Sequence, residues 1–402
     1  MIPLMLSVFC AVAIVSLGDL RLAGAPAIGV LVVWGVGMSM LGTAGLEDSL
    51  SRRMRRFGSS DWIPCARHVF IAALVVRMIV VLSPVSLSDD VFRYLWEGHL
   101  AGAGENPYLF APADPRWLSD AVLARVNHPD VSAAYPPLAT WAFAVLAWIS
   151  YSPWSIKIAM GVTDAGLAWA LARTLEGRSR SRSAAWLYAL HPLGVVESAG
   201  SGHFDSLPLL CVVLGVGAWD RHRSGVGWVG LGGALKFLPL ALVPLLWRRS
   251  PWLLLGIAGL CAMATYPFIE AGPALWAGLE TWSRHWAFNG SLHPLLEVIL
   301  GDSARIVVLV LGAAVVLGVW WRVTDPAVGA LWIGGAFVLL SPTVHPWYVL
   351  WVWVPALLCG VRAWTVLATL VPISYVALAS YDPTLSHWEE PWWPAWIQYL
   401  PL

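Results

Sequence analysis

The sequence predicts an all-α polytopic membrane protein, and three observations carry that expectation. The chain is 58% hydrophobic and only 12% charged, where a soluble protein carries about 25% charged residues. Its mean hydropathy is +0.70. Its apolar residues fall into spans of roughly 15–20 bounded by Arg clusters, Pro or Gly, which gives roughly 11–13 membrane segments. The formal charge is zero, so no nucleic-acid partner is expected. The 27 Trp suit interfacial anchors against membrane lipids, as at Trp228, Trp247, Trp252 and Trp393, and a few suit sugar stacking. The five Cys show no paired spacing, and no disulfide framework is expected.

Taken in order, the N-terminal stretch to Gly18 lacks a basic leader and is followed at once by a second apolar span. It reads as a retained helix. Spans near 2–18 and 22–41 form a hairpin. The Arg clusters at Arg52, Arg53, Arg55 and Arg56, at Arg178, Arg180 and Arg182, at Arg221 and Arg223, and at Arg248 and Arg249 are expected on the cytoplasmic side. A third span near 68–84 then leads out, so residues 86–135 form an extracytoplasmic loop. Residues 137–151 are apolar, but a full crossing there would put the second Arg cluster on the wrong side. They are expected to be a short helix at the outer leaflet. Residues 226–246 lie between two cytoplasmic Arg pairs, so they are expected to rise and return as two half-length helices with Lys236 near the tip. Spans near 184–200, 205–219, 251–269, 305–321, 326–343, 346–361 and 363–380 complete the bundle. On this count one face collects Asp90, His191, Glu197, His203, Asp205, Lys236, Arg284, His285 and His345. Arg77 and Asp164 fall inside spans and need partners there.

The outer loop opens on Ser86-Leu87-Ser88-Asp89-Asp90-Val91-Phe92-Arg93-Tyr94-Leu95-Trp96-Glu97. Ser88 is placed to cap a helix. Asp90, Arg93, Tyr94 and Glu97 share one face, and Val91, Phe92, Leu95, Trp96 and His99 the other. This predicts an amphipathic helix lying apolar side down on the membrane. The structural reading of Arg93 is an ion pair with Asp89, Asp90 or Glu97. Lys236 could equally be snorkelling, His345 capping a helix, and Asp205 capping the helix that follows Gly202-His203-Phe204. Asp89, Asp90, His203 and Asp205 are of types that suit a divalent ion, but no metal site is assigned and no other cofactor is expected.

Asp90-Val91-Phe92-Arg93-Tyr94-Leu95 followed by Gly104-Glu105-Asn106-Pro107-Tyr108 resembles the first-loop motif of bacterial polyprenyl-phosphate-mannose-dependent α-mannosyltransferases of the GT-C superfamily. These include the mycobacterial α-1,6-mannopyranosyltransferases and glycosyltransferase family 87. Tyr135-Pro136-Pro137-Leu138, Lys236-Phe237-Leu238-Pro239 and His345-Pro346-Trp347-Tyr348 resemble three further family segments in the same order. The resemblance spans about residues 68–360. It implies a GT-C-like bundle in a bacterial inner (plasma) membrane. It also implies an inverting transfer from a polyprenyl-phosphate sugar donor to a lipid or glycan acceptor on the outer side. The base maps onto Asp90, with Asp89 as an additional carboxylate, and the choice between them stays open. Lys236, His345, Arg93 and Arg284 become candidates for the donor phosphate. Tyr94, Glu97, Asn106, Tyr108, Tyr135, His203, Asp205, His285, Trp347 and Tyr348 become candidates for substrate contact. Mannose rests on the resemblance; arabinose, glucose and galactosamine stay open. The competing class is a multi-span transporter or lipid flippase with a polar outer vestibule. That class would show internal repeats and midplane charges; no repeat is evident, and the polar residues gather on one face.

Overall fold

The computed structural model describes residues 2–43, 65–117, 120–380 and 390–402. The first Arg cluster, Arg52 to Arg56, lies outside the described residues. About 77% of the structure is helix and the described residues form no strand; Phe288 and Thr343 pair in one isolated parallel bridge. Two helical stretches, 251–285 and 292–322, are long and apolar enough to cross a membrane by length and composition. Seven shorter apolar helices accompany them. The stretch from Pro251 runs on through a kink at Gly272, whose φ of +49° suits a residue without Cβ.

The main core is built from helices Ile2–Leu17, Ala25–Thr43, Ala66–Val81, Pro153–Gly177 and Ser183–Leu190, closed by Ser206–Ala218 and Leu350–Cys359. Arg77 and Asp164 sit at its centre, both fully buried. They pair with each other, Arg77 Nε donating to Asp164 Oδ2 at 2.6 Å. Ser206 Oγ donates to Asp164 Oδ1 at 3.2 Å, and the Tyr188 hydroxyl donates to the same oxygen. Such a pair is tolerable in an apolar bundle because each charge finds several partners.

The Pro153–Gly177 helix has 25 residues and rises about 37 Å, so its ends mark the two ends of the bundle. At its C-terminal end the arginines gather. Arg178 holds Asp325 through two bonds of 2.8 and 2.9 Å, and Arg180 Nη1 donates to the Leu358 carbonyl at 2.7 Å. Arg248 and Arg249 donate to the Trp320 and Trp219 carbonyls. At its N-terminal end Lys157 donates to the Ser83 carbonyl and packs against Gly202. That is the end where the outer-loop helix Asp90–Gly102 docks.

This loop helix differs from the expected interfacial one. Residues 91–98 are all buried, on the polar face as well as the apolar one. Val91, Tyr94, Leu95 and Trp96 form a second core with Phe143, Ile156 and Phe204. The thirteen-residue helix Pro137–Ile149 rises about 20 Å and packs on it. A Cβ on Gly98 would come within 2.3 Å of the Phe143 carbonyl carbon, so only glycine permits this approach. The polar face is roofed by loop 127–131, because Arg93 recruits its carbonyls. Residues 224–249 run as helix Ser224–Leu235, a turn at Lys236, a 3-10 turn at Leu238–Leu242, and helix Val243–Arg249. His191 does not join the polar end: it is fully buried against Trp353 and Thr369.

Candidate active site

Four segments converge at the N-terminal end of the Pro153–Gly177 helix: the start of the loop helix, the turn 202–206, the turn at Lys236, and residues 345–351. The loop helix begins at Asp90. Ser88 Oγ accepts from the Asp90 amide at 3.3 Å, while the Asp89 side chain makes no capping bond. The two adjacent carboxylates therefore point apart. Asp89 Oδ1 lies 3.8 Å from Arg21 Nη1, at the tip of the N-terminal hairpin. Burial pushes its carboxyl up, with Arg21 and Arg125 opposing.

Asp90 turns into the cluster. Its Oδ1 accepts from Asn127 Nδ2 at 3.0 Å. Its Oδ2 lies 3.5 Å from the Tyr94 hydroxyl and 3.7 Å from His203 Nδ1. The side chain keeps 25% of its surface exposed. Tyr94 OH shares a hydrogen with Tyr135 OH at 2.9 Å, and the Tyr135 ring lies 5.5 Å from Lys236 Nζ. Burial raises both phenols well above their usual range, so both stay neutral donors.

Lys236 pairs with Asp205 Oδ1 at 2.6 Å, and Trp351 Nε1 donates to the same oxygen at 2.5 Å. Asp205 makes no helix-capping bond; the lysine and the indole offer a buried carboxylate more than a peptide N–H would. Lys236 also faces the Tyr348 ring at 5.6 Å. Trp347 is sandwiched between two imidazoles, with ring centroids 3.5 Å from His203 and 4.4 Å from His345. His345 makes no capping bond either; its far side lies over Phe288 at 5.0 Å. Burial, with Lys236 and His128 adding, pushes its imidazole down to about 3, so it is neutral at pH 7. Burial and then Lys236 and His345 hold His203 well below its usual value.

Other sequence-predicted residues stand elsewhere. Arg93 spends its guanidinium on the loop: Nη2 donates to Asn127 O at 2.5 Å and His128 O at 2.7 Å, and Nη1 to Val131 O at 2.8 Å. Its ion pair with Glu97 is longer, 3.4 Å. Asn106 caps the Tyr108 amide, and Tyr108 OH donates to the Tyr135 carbonyl at 2.8 Å, so both brace the loop from behind. Arg284 is exposed and pairs with Glu280, and His285 contacts the Thr281 carbonyl. Among the described residues, no three His, Cys, Asp or Glu side chains are placed to share an ion. Asp89 faces away from Asp90, His203 and Asp205.

Sequence reasoning missed Asn127, Trp351 and Tyr375 as site neighbours, and gave Glu197 no role. Tyr375 OH donates to Glu197 Oε1 at 2.7 Å, and Glu197 Oε2 lies 3.6 Å from His203 Nε2. Only the rarity of a carboxylate within an apolar span could have flagged Glu197.

The family model described as glycosyltransferase family 87 matches residues 133–342. A model described as the MptB C-terminal domain matches residues 289–400. The first match holds Tyr135, His203, Asp205 and Lys236. The second holds His345, Trp347, Tyr348, Trp351 and Tyr375. The segment from Asp89 to Tyr108 lies before both. No curated protein and no solved structure matches the chain. A polar cluster assembled mostly from the matched segments, in a chain of apolar helices, is thus what a glycosyl transfer has to work with: the chain belongs to glycosyltransferase family 87, and it is a membrane glycosyltransferase.

Proposed function

We propose that the protein transfers mannose, with inversion, from a polyprenyl-phosphate donor to a hydroxyl of a glycolipid or glycan. The reaction takes place on the extracytoplasmic side of the bacterial inner membrane, with Asp90 as general base. The observation that carries this is the placement of a partly exposed carboxylate and a partly exposed ammonium on one polar cluster. Asp90 and Lys236 keep 25% and 17% of their side-chain surface open.

The chemistry follows from the charges. The acceptor hydroxyl gives its proton to Asp90 as its oxygen attacks the anomeric carbon. The bond from that carbon to the phosphate oxygen breaks on the opposite side, and the electron pair leaves with the phosphate. A phosphate monoester leaves as an anion, so it needs a cation more than an acid. Lys236 supplies that cation as a point charge. Asn127 holds Oδ1 of the base and leaves a lone pair on each oxygen for the acceptor. Tyr348, half-buried beside Lys236, offers an aromatic surface for a sugar ring, while Trp347 is held between the two imidazoles. The outward side is inferred from the arginines gathered at the other end of the bundle, under the positive-inside rule. The four motifs and the match to the MptB C-terminal domain support mannose as the sugar.

Membranes holding the full chain, given polyprenyl-phosphate [14C]mannose and a cell-envelope lipid extract, test the reading. D90N should lose about 10²–10⁴-fold in transfer rate, and D89N less than about tenfold. Full transfer by a normally folded D90N would remove the base.

A further inference from the structure

Behind Asp90 three buried polar atoms have no hydrogen-bond partner among the described residues: His203 Nδ1, His203 Nε2 and Glu197 Oε2. Nδ1 lies 3.7 Å from Asp90 Oδ2, and Nε2 lies 3.6 Å from Glu197 Oε2. These gaps exceed a hydrogen bond by about 0.5 Å, and such contacts commonly tighten when substrate is bound. Trp347 stacks on the imidazole at 3.5 Å and 21°, which blocks that face of the ring. The backbone ties the pair together too. Glu197 lies in a π-helical turn, Val196–Gly200, a widening that recurs at functional sites. The His203 amide donates to the Glu197 carbonyl at 2.9 Å, and Gly202 turns the chain with φ +76°.

We propose that His203 and Glu197 are positioning residues for Asp90, joined to it as a carboxylate–imidazole–carboxyl chain. The proposal rests on Asp90 being the base. A neutral imidazole has one N–H and one lone pair. Two contacts to carboxyl groups therefore require two protons in the chain. With the imidazole neutral, Nδ1–H donates to Asp90 Oδ2, and a proton on Glu197 is donated to Nε2. Tyr375 holds the other Glu197 oxygen. Asn127 and His203 then fix both oxygens of the base in one plane. Asp89 and His128 are near enough to act on Asp90 electrostatically, and Lys236 and, across Trp347, His345 lie near the imidazole; burial and the Lys236 ammonium favour the neutral form of His203.

Two readouts test it in the full chain. 15N-histidine NMR of the reconstituted protein should show His203, assigned by its loss in H203F, as the Nδ1–H tautomer. An Nε2–H tautomer overturns the proposal. In the transfer assay with polyprenyl-phosphate [14C]mannose, H203F keeps a ring on Trp347 but removes the donor. It should lower kcat about 10–100-fold with KM within about threefold. E197L should fall similarly, and E197Q, whose amide can still donate to Nε2, should regain most of the loss. An unchanged kcat in H203F, or E197Q as poor as E197L, also overturns it. If D90N transfers normally while the tautomer holds, the base assignment fails and the hydrogen-bonded chain stands.

Discussion

Glu97 gives the sharpest test of how the outer loop is held. It is fully buried on the Asp90–Gly102 helix. Arg93 reaches Oε1, at 3.4 Å, and Oε2 has no partner among the described residues. Burial pushes the carboxyl from 4.5 up to about 7; Arg93 pulls it down, and Asp90 adds to the rise. One long contact to a guanidinium already engaged with three carbonyls offsets only part of the desolvation. The difference of ~2.5 units, at 1.36 kcal/mol each, is about 3 kcal/mol. The folded protein holds this proton more tightly than the unfolded chain. Its contribution is therefore complete below about pH 4.5, declines as pH rises towards 7, and is lost above the folded value. E97Q has no proton to release there. Thermal unfolding of the purified protein in detergent, from pH 4.5 to 8, should show the wild-type midpoint falling by several degrees. The E97Q midpoint should fall by measurably less. Identical slopes in the two proteins would refute the argument.

G98A should destabilise by at least about 3 kcal/mol, because the new methyl meets Phe143 backbone rather than a movable side chain; an unfolding midpoint within one degree of wild type would contradict it. R93K should free the loop over Asp90, since a lysine cannot reach three carbonyls at once; faster proteolysis within 120–131 and a lower kcat are expected. K236M should lose about 10²-fold in transfer, and part of the loss should appear as lower folded yield, since Asp205 is left buried with Trp351 alone. Full transfer by K236M would remove it from the phosphate.

Part of the site was legible from residue types and order. Asp90, His203, Asp205, Lys236, His345 and Trp347 stand out as polar or aromatic groups at the edges of apolar spans, and they meet in one cluster. The roles of their neighbours were not legible. Helical spacing put Arg93 and Glu97 on the same face as Asp90, as if all three met one ligand. The loop that roofs that face comes from 34–38 residues further on, and no local pattern announces it.

What the sequence by itself determined is the class of environment. Apolar spans of membrane length, arginines at their ends and an acidic loop between them are local properties, because transfer into lipid is decided segment by segment. What only the tertiary structure decided is which partner each polar side chain takes. Asp89 and Asp90 are adjacent, yet one meets Arg21 on the N-terminal hairpin and the other meets His203. Glu197 meets Tyr375 from 178 residues away. Buried polar groups must find hydrogen-bond partners wherever packing brings them, and packing of distant helices is a property of the whole chain.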